Sequence, residues 1–248
     1  MSDNFPSTPQ VKTTSQSLDD DECIIDGDRY PLVIGQIVKL IGRGDQPRII
    51  VLADPGHGKT FLLGRLGEIL HDELNIMNEA FKPEIQITQD PATWVNNTRT
   101  HRQKVEIVPD ADSVFPSDEW NTPKNKANRK VVYLTRLTGN VLCYDAHELA
   151  KCDKAIRTNH NIRLVSVGQA DNYKFKAEYI QRENDSLTEN IISKSKGLWT
   201  VDKPSSNTVK RIEELDTDEK ARELENAEKE IRNQNVDELT KEYEDNLA

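Results

Sequence analysis

A group of residues able to bind phosphate lies in the stretch PRIIVLADPGHGKT, residues 47–60. A phosphate-binding loop follows the pattern Gly, four residues, then Gly-Lys-Ser/Thr, and here Ala53 takes the first place. The backbone N–H groups of such a loop surround phosphate, while Lys59 is expected to reach the β and γ phosphates and Thr60 to ligate magnesium. The sequence therefore predicts a site for ATP and Mg²⁺. The predicted nucleotide-binding residues are Ala53, Asp54, Pro55, Gly56, His57, Gly58, Lys59, Thr60 and Phe61.

Two carboxylates follow a short apolar stretch further along the chain, in VEIVPDAD, residues 105–112. Nucleotide hydrolysis needs a carboxylate at a strand end to hold the magnesium shell and a second group to orient or deprotonate water. If the strand ends at Val108, the next residue, a proline, takes the metal-binding place and Asp110 the water-activating one. If the strand is one residue longer, Asp110 binds the metal and an alanine takes the water-activating place. Both registers stay open, so Asp110 and Asp112 are predicted catalytic residues, and Asp110 with Thr60 the predicted metal ligands.

A second apolar run, Val141–Tyr144, is followed by the polar group DAHE. Open α/β sheets place ligand-contacting groups at the carboxyl ends of their strands. Either Asp145 or His147 could then sense the γ phosphate of a nucleotide. His147 is the predicted catalytic residue of this group.

The elements around these residues predict an α/β domain. Ile49–Leu52 is typical of a buried parallel strand, and apolar residues at helical spacing follow the loop, which gives strand, loop and helix. A further β-branched strand is predicted over Ile162–Val167 and an edge strand over Tyr173–Ile180. We expect a three-layer fold, with a largely parallel sheet and helices on both faces.

The charge of the chain is concentrated at its two ends. Residues 1–30 carry seven acidic and two basic side chains, and residues 205–248 carry fourteen acidic and seven basic ones. The first segment is predicted to be a disordered acidic leader, and the second a charged amphipathic helical tail. Residues 31–204 then form the nucleotide-binding domain. The tail either rests on this domain or serves as a docking or oligomerisation arm.

The three cysteines are an odd number without CxxC spacing, which favours a reducing compartment and argues against a zinc site. No apolar run approaches the roughly 20 residues that cross a bilayer, so no membrane anchor is expected. These features together predict a cytoplasmic protein.

Residues 121–163 form the basic region of this acidic chain, with nine basic side chains against three acidic ones. Three blocks of the sequence, in order, resemble the FtsK/HerA group of phosphate-loop motor ATPases, which includes viral genome-packaging ATPases and the cytosolic domain of Zot-like proteins. The blocks are Ala53–Thr60, Val105–Asp112 and RLTGNVLCYDAHE, residues 136–148. The second block lacks the usual Asp-Glu pair, and the third ends in Tyr-Asp-Ala-His rather than Thr-Gln.

The resemblance implies a magnesium-dependent ATPase that moves duplex DNA into a viral capsid, and that acts as a homo-oligomeric ring with a capsid or portal-type partner. In a virus the protein would lie in the host cytoplasm or on the capsid. The resemblance also implies that Arg136 is a catalytic arginine supplied to a neighbouring subunit, with Arg157 as second choice. Two alternatives stay open: an ATPase of another phosphate-loop branch, such as a replication or partition factor, and a nucleotide-gated binding protein with weak or no hydrolysis.

Overall fold

The computed structural model describes residues 11–12, 22–77, 80–100, 103–119, 121–134, 139–167, 174–183 and 190–218, and a few positions between 221 and 229. The strands are β1 Val11–Lys12, β2 Glu22–Ile25, β3 Asp28–Pro31, β4 Arg48–Leu52, β5 Val105–Val108, β6 Val141–Ala146, β7 Ile162–Ser166, β8 Lys174–Glu183 and β9 Asn190–Thr200. The helices are α1 Leu32–Gly42, α2 Lys59–Glu68, α3 Pro83–Gln86, α4 Pro91–Thr100, α5 Ala111–Val114, α6 Pro123–Leu134, α7 Lys154–Asn159 and α8 over residues 206–218.

The central sheet has six strands in the order β5-β6-β4-β7-β8-β9. Its first four strands are parallel, and β8 and β9 extend it in antiparallel fashion. An isolated parallel bridge from Ile87 to Ile107 borders β5 on its outer side. The α/β class with a mostly parallel sheet is thereby confirmed. The predicted edge strand, β8, is paired on both sides, since β9 lies outside it.

Helices cover both faces of the sheet because the strands are apolar on both sides. Ile49 and Val51 of β4 point into a core with α1 and α2, whereas Ile50 points into a second core with α4, α6 and α7. All three side chains are fully buried. A strand buried on both faces in this way is typical of a parallel sheet between two helical layers, so the three-layer prediction is confirmed.

The predicted disordered leader is wrong for residues 22–30. There β2 and β3 pair as a hairpin, and Asp26 and Gly27 at its turn both have positive φ. The hairpin is held because Ile25 is fully buried and Cys23 packs against α1 at Gly35. Local apolar burial therefore outweighs the acidic composition of this segment.

The start of the charged tail is helical, as predicted, and it packs on the domain. Leu215 of α8 is buried, and the buried Glu68 of α2 accepts hydrogen bonds from the Ser205 N–H at 2.9 Å and the Thr208 hydroxyl at 2.6 Å. In addition, the Arg211 guanidinium donates to the Ile87 carbonyl oxygen. Of the two interpretations of the tail, these contacts favour the one in which α8 rests on the core.

Two further properties concern the described residues alone. Cys23, Cys143 and Cys152 are all free and buried. None of the helices in the described ranges combines the length and apolar character needed to traverse a bilayer.

Candidate nucleotide site

The predicted phosphate-binding loop joins the end of β4 to the start of α2, at the carboxyl edge of the parallel strands. Gly56 and Gly58 have φ of 79° and 72°, in the left-handed region that favours glycine. Asp54, Pro55 and Gly56 are exposed at the rim, while Ala53, His57 and Gly58 are partly buried.

The loop leads directly into α2, so Lys59, Thr60 and Phe61 form its first turn. Of these three side chains Lys59 is buried, and the other two are partly buried. The arrangement places an open, glycine-bearing turn at the positive end of a helix, which suits an anion.

The two chemically important side chains of α2 are bonded to protein groups. Nζ of Lys59 donates to the Ala53 carbonyl oxygen at 3.2 Å and lies 3.0 Å from Nδ1 of His147. The Thr60 hydroxyl donates to Oδ2 of Asp145 at 2.8 Å. The loop and the end of β6 therefore meet in one site, as expected for the carboxyl ends of neighbouring strands.

Asp145 is the fully buried carboxylate of this site. Its other oxygen, Oδ1, accepts a hydrogen bond from the Asp110 backbone N–H at 2.8 Å. Burial, and next the neighbouring Asp110 carboxylate, raise the pKa of Asp145 to about 7, against the lowering effects of Lys59 and Thr60. A cation placed beside it would stabilise its charged form.

The structure has the shorter of the two registers at β5. The strand ends at Val108, Pro109 follows it, and Asp110 has φ 47° before α5 begins. The side chain of Asp110 lies beside His147, with Oδ1 3.4 Å from Nε2. The carboxylate bonded to Thr60 is Asp145, which the sequence offered, as the alternative to His147, for phosphate sensing. Its signal was an apolar run ending in Asp, the same signal that led to Asp110.

Asp112, the second of the two predicted catalytic carboxylates, bonds the backbone at residues 147–148. Its Oδ2 accepts hydrogen bonds from the backbone N–H groups of His147 at 3.0 Å and Glu148 at 3.2 Å. Asp112 is buried, whereas the His147 side chain is exposed at the site. Asp112 therefore holds the backbone of the turn after β6.

The oxygen groups at this place fit a magnesium ion brought in with a nucleotide. Thr60 and Asp145 already meet, and Mg²⁺ is commonly held by one or two protein oxygens together with phosphates and water. Within the described ranges no cluster of three or more His, Cys, Asp or Glu side chains suits a metal ion by itself. Thr60 and Asp145 would hold the ion. In the shorter register Asp110 takes the water-activating place, and its role as a metal ligand stays a prediction.

The residue after each carboxylate is an alanine, Ala111 after Asp110 and Ala146 after Asp145. The nearest glutamate in sequence, Glu148, directs its carboxylate to Nζ of Lys151 at 2.7 Å on the surface.

On the opposite side of β4, Nδ1 of His57 lies 3.0 Å from the hydroxyl of Ser166 at the end of β7. Sequence reasoning gave no signal for this last contact.

The predicted basic region lies partly on α6. Lys126 and Lys130 are exposed and one helical turn apart, whereas Lys124 pairs with Glu119 at 2.6 Å and Arg129 with Asp153 at 3.5 Å. Arg136 lies outside the described residues. Its alternative, Arg157, is partly buried on α7.

No protein-family model and no curated protein matches this chain. The chain is similar to the N-terminal domain of zonular occludens toxin from Neisseria meningitidis, at 15% identity and a TM-score of 0.40, over 63% of this chain and 95% of that one. It is also similar to the genome packaging NTPase B204 of Sulfolobus turreted icosahedral virus 2, in complex with ATP-γS, at 10% identity and a TM-score of 0.39, over 60% of this chain and 96% of that one. Both are of the kinds that the sequence resemblance names.

Proposed function

We propose that this chain is a magnesium-dependent ATPase that couples hydrolysis to the movement of duplex DNA, as in the packaging of a viral genome into a capsid. The observation that carries the ATPase part is the meeting of the loop at residues 53–58 with Lys59, Thr60 and Asp145 at the carboxyl edge of the sheet. Lysine and backbone N–H groups suit the phosphates, and the threonine and carboxylate oxygens suit magnesium.

The DNA part is supported by charge and by the resemblance of the sequence. Lys126 and Lys130 present two cations on the exposed side of α6 in an otherwise acidic chain. Contacts of lysine with phosphate release counterions and do not depend on sequence, as a translocating protein requires. We include in the proposal a ring of identical subunits in which Arg136 reaches the neighbouring site, and a capsid or portal-type partner.

The test is single-turnover ATP hydrolysis with and without duplex DNA. We expect magnesium-dependent hydrolysis that duplex DNA stimulates. DNA affinity should fall with salt, and the double variant Lys126→Ala/Lys130→Ala should reduce the slope of log affinity against log salt by roughly 2. Lys39→Ala is the matched control, because Lys39 is an exposed lysine on α1, on the other side of the sheet. An unchanged slope in the double variant would place the DNA path elsewhere, and DNA-independent hydrolysis would favour another phosphate-loop branch.

A second candidate is a nucleotide-gated binding protein that hydrolyses ATP weakly or not at all. The observation in its favour is that alanine follows both Asp110 and Asp145, and that the Glu148 carboxylate bonds Lys151 instead of entering the site. ATP binding without single-turnover hydrolysis, with and without DNA, would support it over the ATPase.

A further inference from the structure

The Lys59 ammonium is engaged by the protein itself, at the place where the proposed function needs it for phosphate. It donates to the Ala53 carbonyl oxygen at 3.2 Å and lies 3.0 Å from Nδ1 of His147. A lysine ammonium can only donate a hydrogen bond, so Nδ1 is the acceptor in this contact, and the same nitrogen lies 3.3 Å from the Ala53 carbonyl oxygen. Nε2 in turn lies 3.4 Å from Oδ1 of Asp110, a suitable acceptor. The His147 ring thus lies between Lys59 and Asp110.

The position of this ring depends on Asp112. One oxygen of the buried Asp112 carboxylate accepts the backbone N–H groups of both His147 and Glu148. Hydrogen bonds to an ionised acceptor are stronger than those between neutral groups. The backbone at residues 147–148 is therefore held by one side chain 35 residues earlier in the sequence.

We propose that Asp112 is a positioning residue that holds His147 against Lys59, and that His147 competes with nucleotide phosphate for the Lys59 ammonium. The inference rests on the proposed nucleotide site and names a device within it. An entering phosphate takes the place of the imidazole because it carries negative charge, which an imidazole ring does not. Binding then breaks the bond from Lys59 to His147, so the affinity of the site for nucleotide is lower than the loop alone would give.

Removal of the His147 ring should raise the affinity of the site for nucleotide, which is the opposite of the usual effect of a mutation in a binding site. The variants His147→Ala and Asp112→Ala are compared with the wild-type chain by calorimetric titration with Mg-ADP. ADP is used because it lacks the γ phosphate that His147 could itself contact. We expect binding about 3- to 10-fold tighter in both variants, the size of one competing hydrogen bond. His71→Ala is the matched control, since His71 lies in the turn after α2, beside Asp72, and should bind as the wild type does.

A double variant separates positioning from ordinary structural support. If Asp112 acts through His147, the double variant Asp112→Ala/His147→Ala should bind ADP as tightly as His147→Ala alone, because the second change has nothing left to release. Asp112→Asn keeps a neutral oxygen acceptor and should give a smaller rise. This milder variant also carries the test if Asp112→Ala does not fold, as judged by circular dichroism.

Several outcomes would overturn the inference. Unchanged or weaker ADP binding in His147→Ala removes the competition, and wild-type affinity in Asp112→Asn together with weaker binding in Asp112→Ala removes the positioning role. In both cases the nucleotide site itself stands, because the wild-type chain still binds ADP. A wild-type chain that binds no ADP would overturn the proposed function and the competition together.

Discussion

The two ends of α2 each carry a buried charged side chain, and they hold it in different ways. Lys59 at the first turn is 7% exposed and Glu68 at the last is 6% exposed, about 14 Å apart along the helix. Lys59 bonds a loop carbonyl oxygen and an exposed histidine ring, whereas Glu68 bonds the start of α8 and lies near Arg65. A ligand can replace the partners of Lys59, whereas the partners of Glu68 are groups of α8 that hold this helix on the core. Burial of a charge by itself therefore does not distinguish a binding group from a structural one, and the kind of partner does.

The largest expected effect is the pH dependence of the free energy of unfolding due to Asp145, which bonds Thr60 in the first turn of α2. The raised pKa of Asp145 means that the folded chain binds this proton more tightly than the unfolded chain does. The stability linked to Asp145 is therefore fully present below about pH 4 and is lost as the pH rises through about 7. In EDTA, the free energy of unfolding of the wild type relative to Asp145→Asn should fall by up to about 4 kcal/mol across this range. Urea titrations at several pH values measure it. If the free energies of unfolding of the two proteins change in parallel with pH, the pKa of Asp145 is not raised in the folded chain.

The next largest effects are expected from two variants, one at each end of α2, which should change ATP affinity and stability in opposite ways. Lys59→Ala should lose about 100-fold or more in ATP affinity, since it removes the cation facing the phosphates, while the free energy of unfolding changes by less than about 1 kcal/mol. Glu68→Ala should do the reverse and lose about 2 to 3 kcal/mol of stability, because it leaves the buried Thr208 hydroxyl without its carboxylate partner. Calorimetric ATP titration and urea unfolding measure the two properties.

The control for Glu68→Ala is Glu214→Ala, which removes an exposed carboxylate of α8. Glu214 lies 3.9 Å from Lys210 and from Arg211, so its loss should cost less than about 1 kcal/mol. The contrast between the helix ends fails if Glu68→Ala weakens ATP binding as strongly as Lys59→Ala does, or if Lys59→Ala unfolds the chain.

The same contrast explains how far the sequence predicts this site. The loop from Ala53 to Thr60 is contiguous, so its residues and their local conformation could be predicted together. The partner of Thr60 could not, because Asp145 lies 85 residues away and two apolar runs end in aspartate. The choice depends on which strand lies beside β4, and the sheet order decides for β6.

At the other end of α2, the helical character of the tail could be predicted from the sequence, but the surface on which it packs could not. The bond from Thr208 to Glu68 spans 140 residues, and neither residue carries a sign of it in the local pattern. The hairpin at residues 22–31 was missed for a different reason. Its Asp-Gly turn is a hairpin signal, whereas the prediction for residues 1–30 rested on acidic composition alone.

The smallest expected effect concerns the packing of α8 against α2. A Cβ added at Gly64 would lie 2.5 Å from Cγ2 of Thr208, so Gly64→Ala should cost about 1 to 2 kcal/mol although alanine favours helix. Thr208→Ser removes that methyl group and keeps the hydroxyl that bonds Glu68. In the Thr208→Ser background, Gly64→Ala should therefore become neutral or stabilising by up to about 1 kcal/mol. Urea unfolding of the four proteins gives the coupling. If Gly64→Ala costs the same in both backgrounds, α8 does not pack on α2 in solution as it does in the structure. The role of Glu68 as a fixed structural partner would then be lost, and with it the contrast between the two ends of the helix.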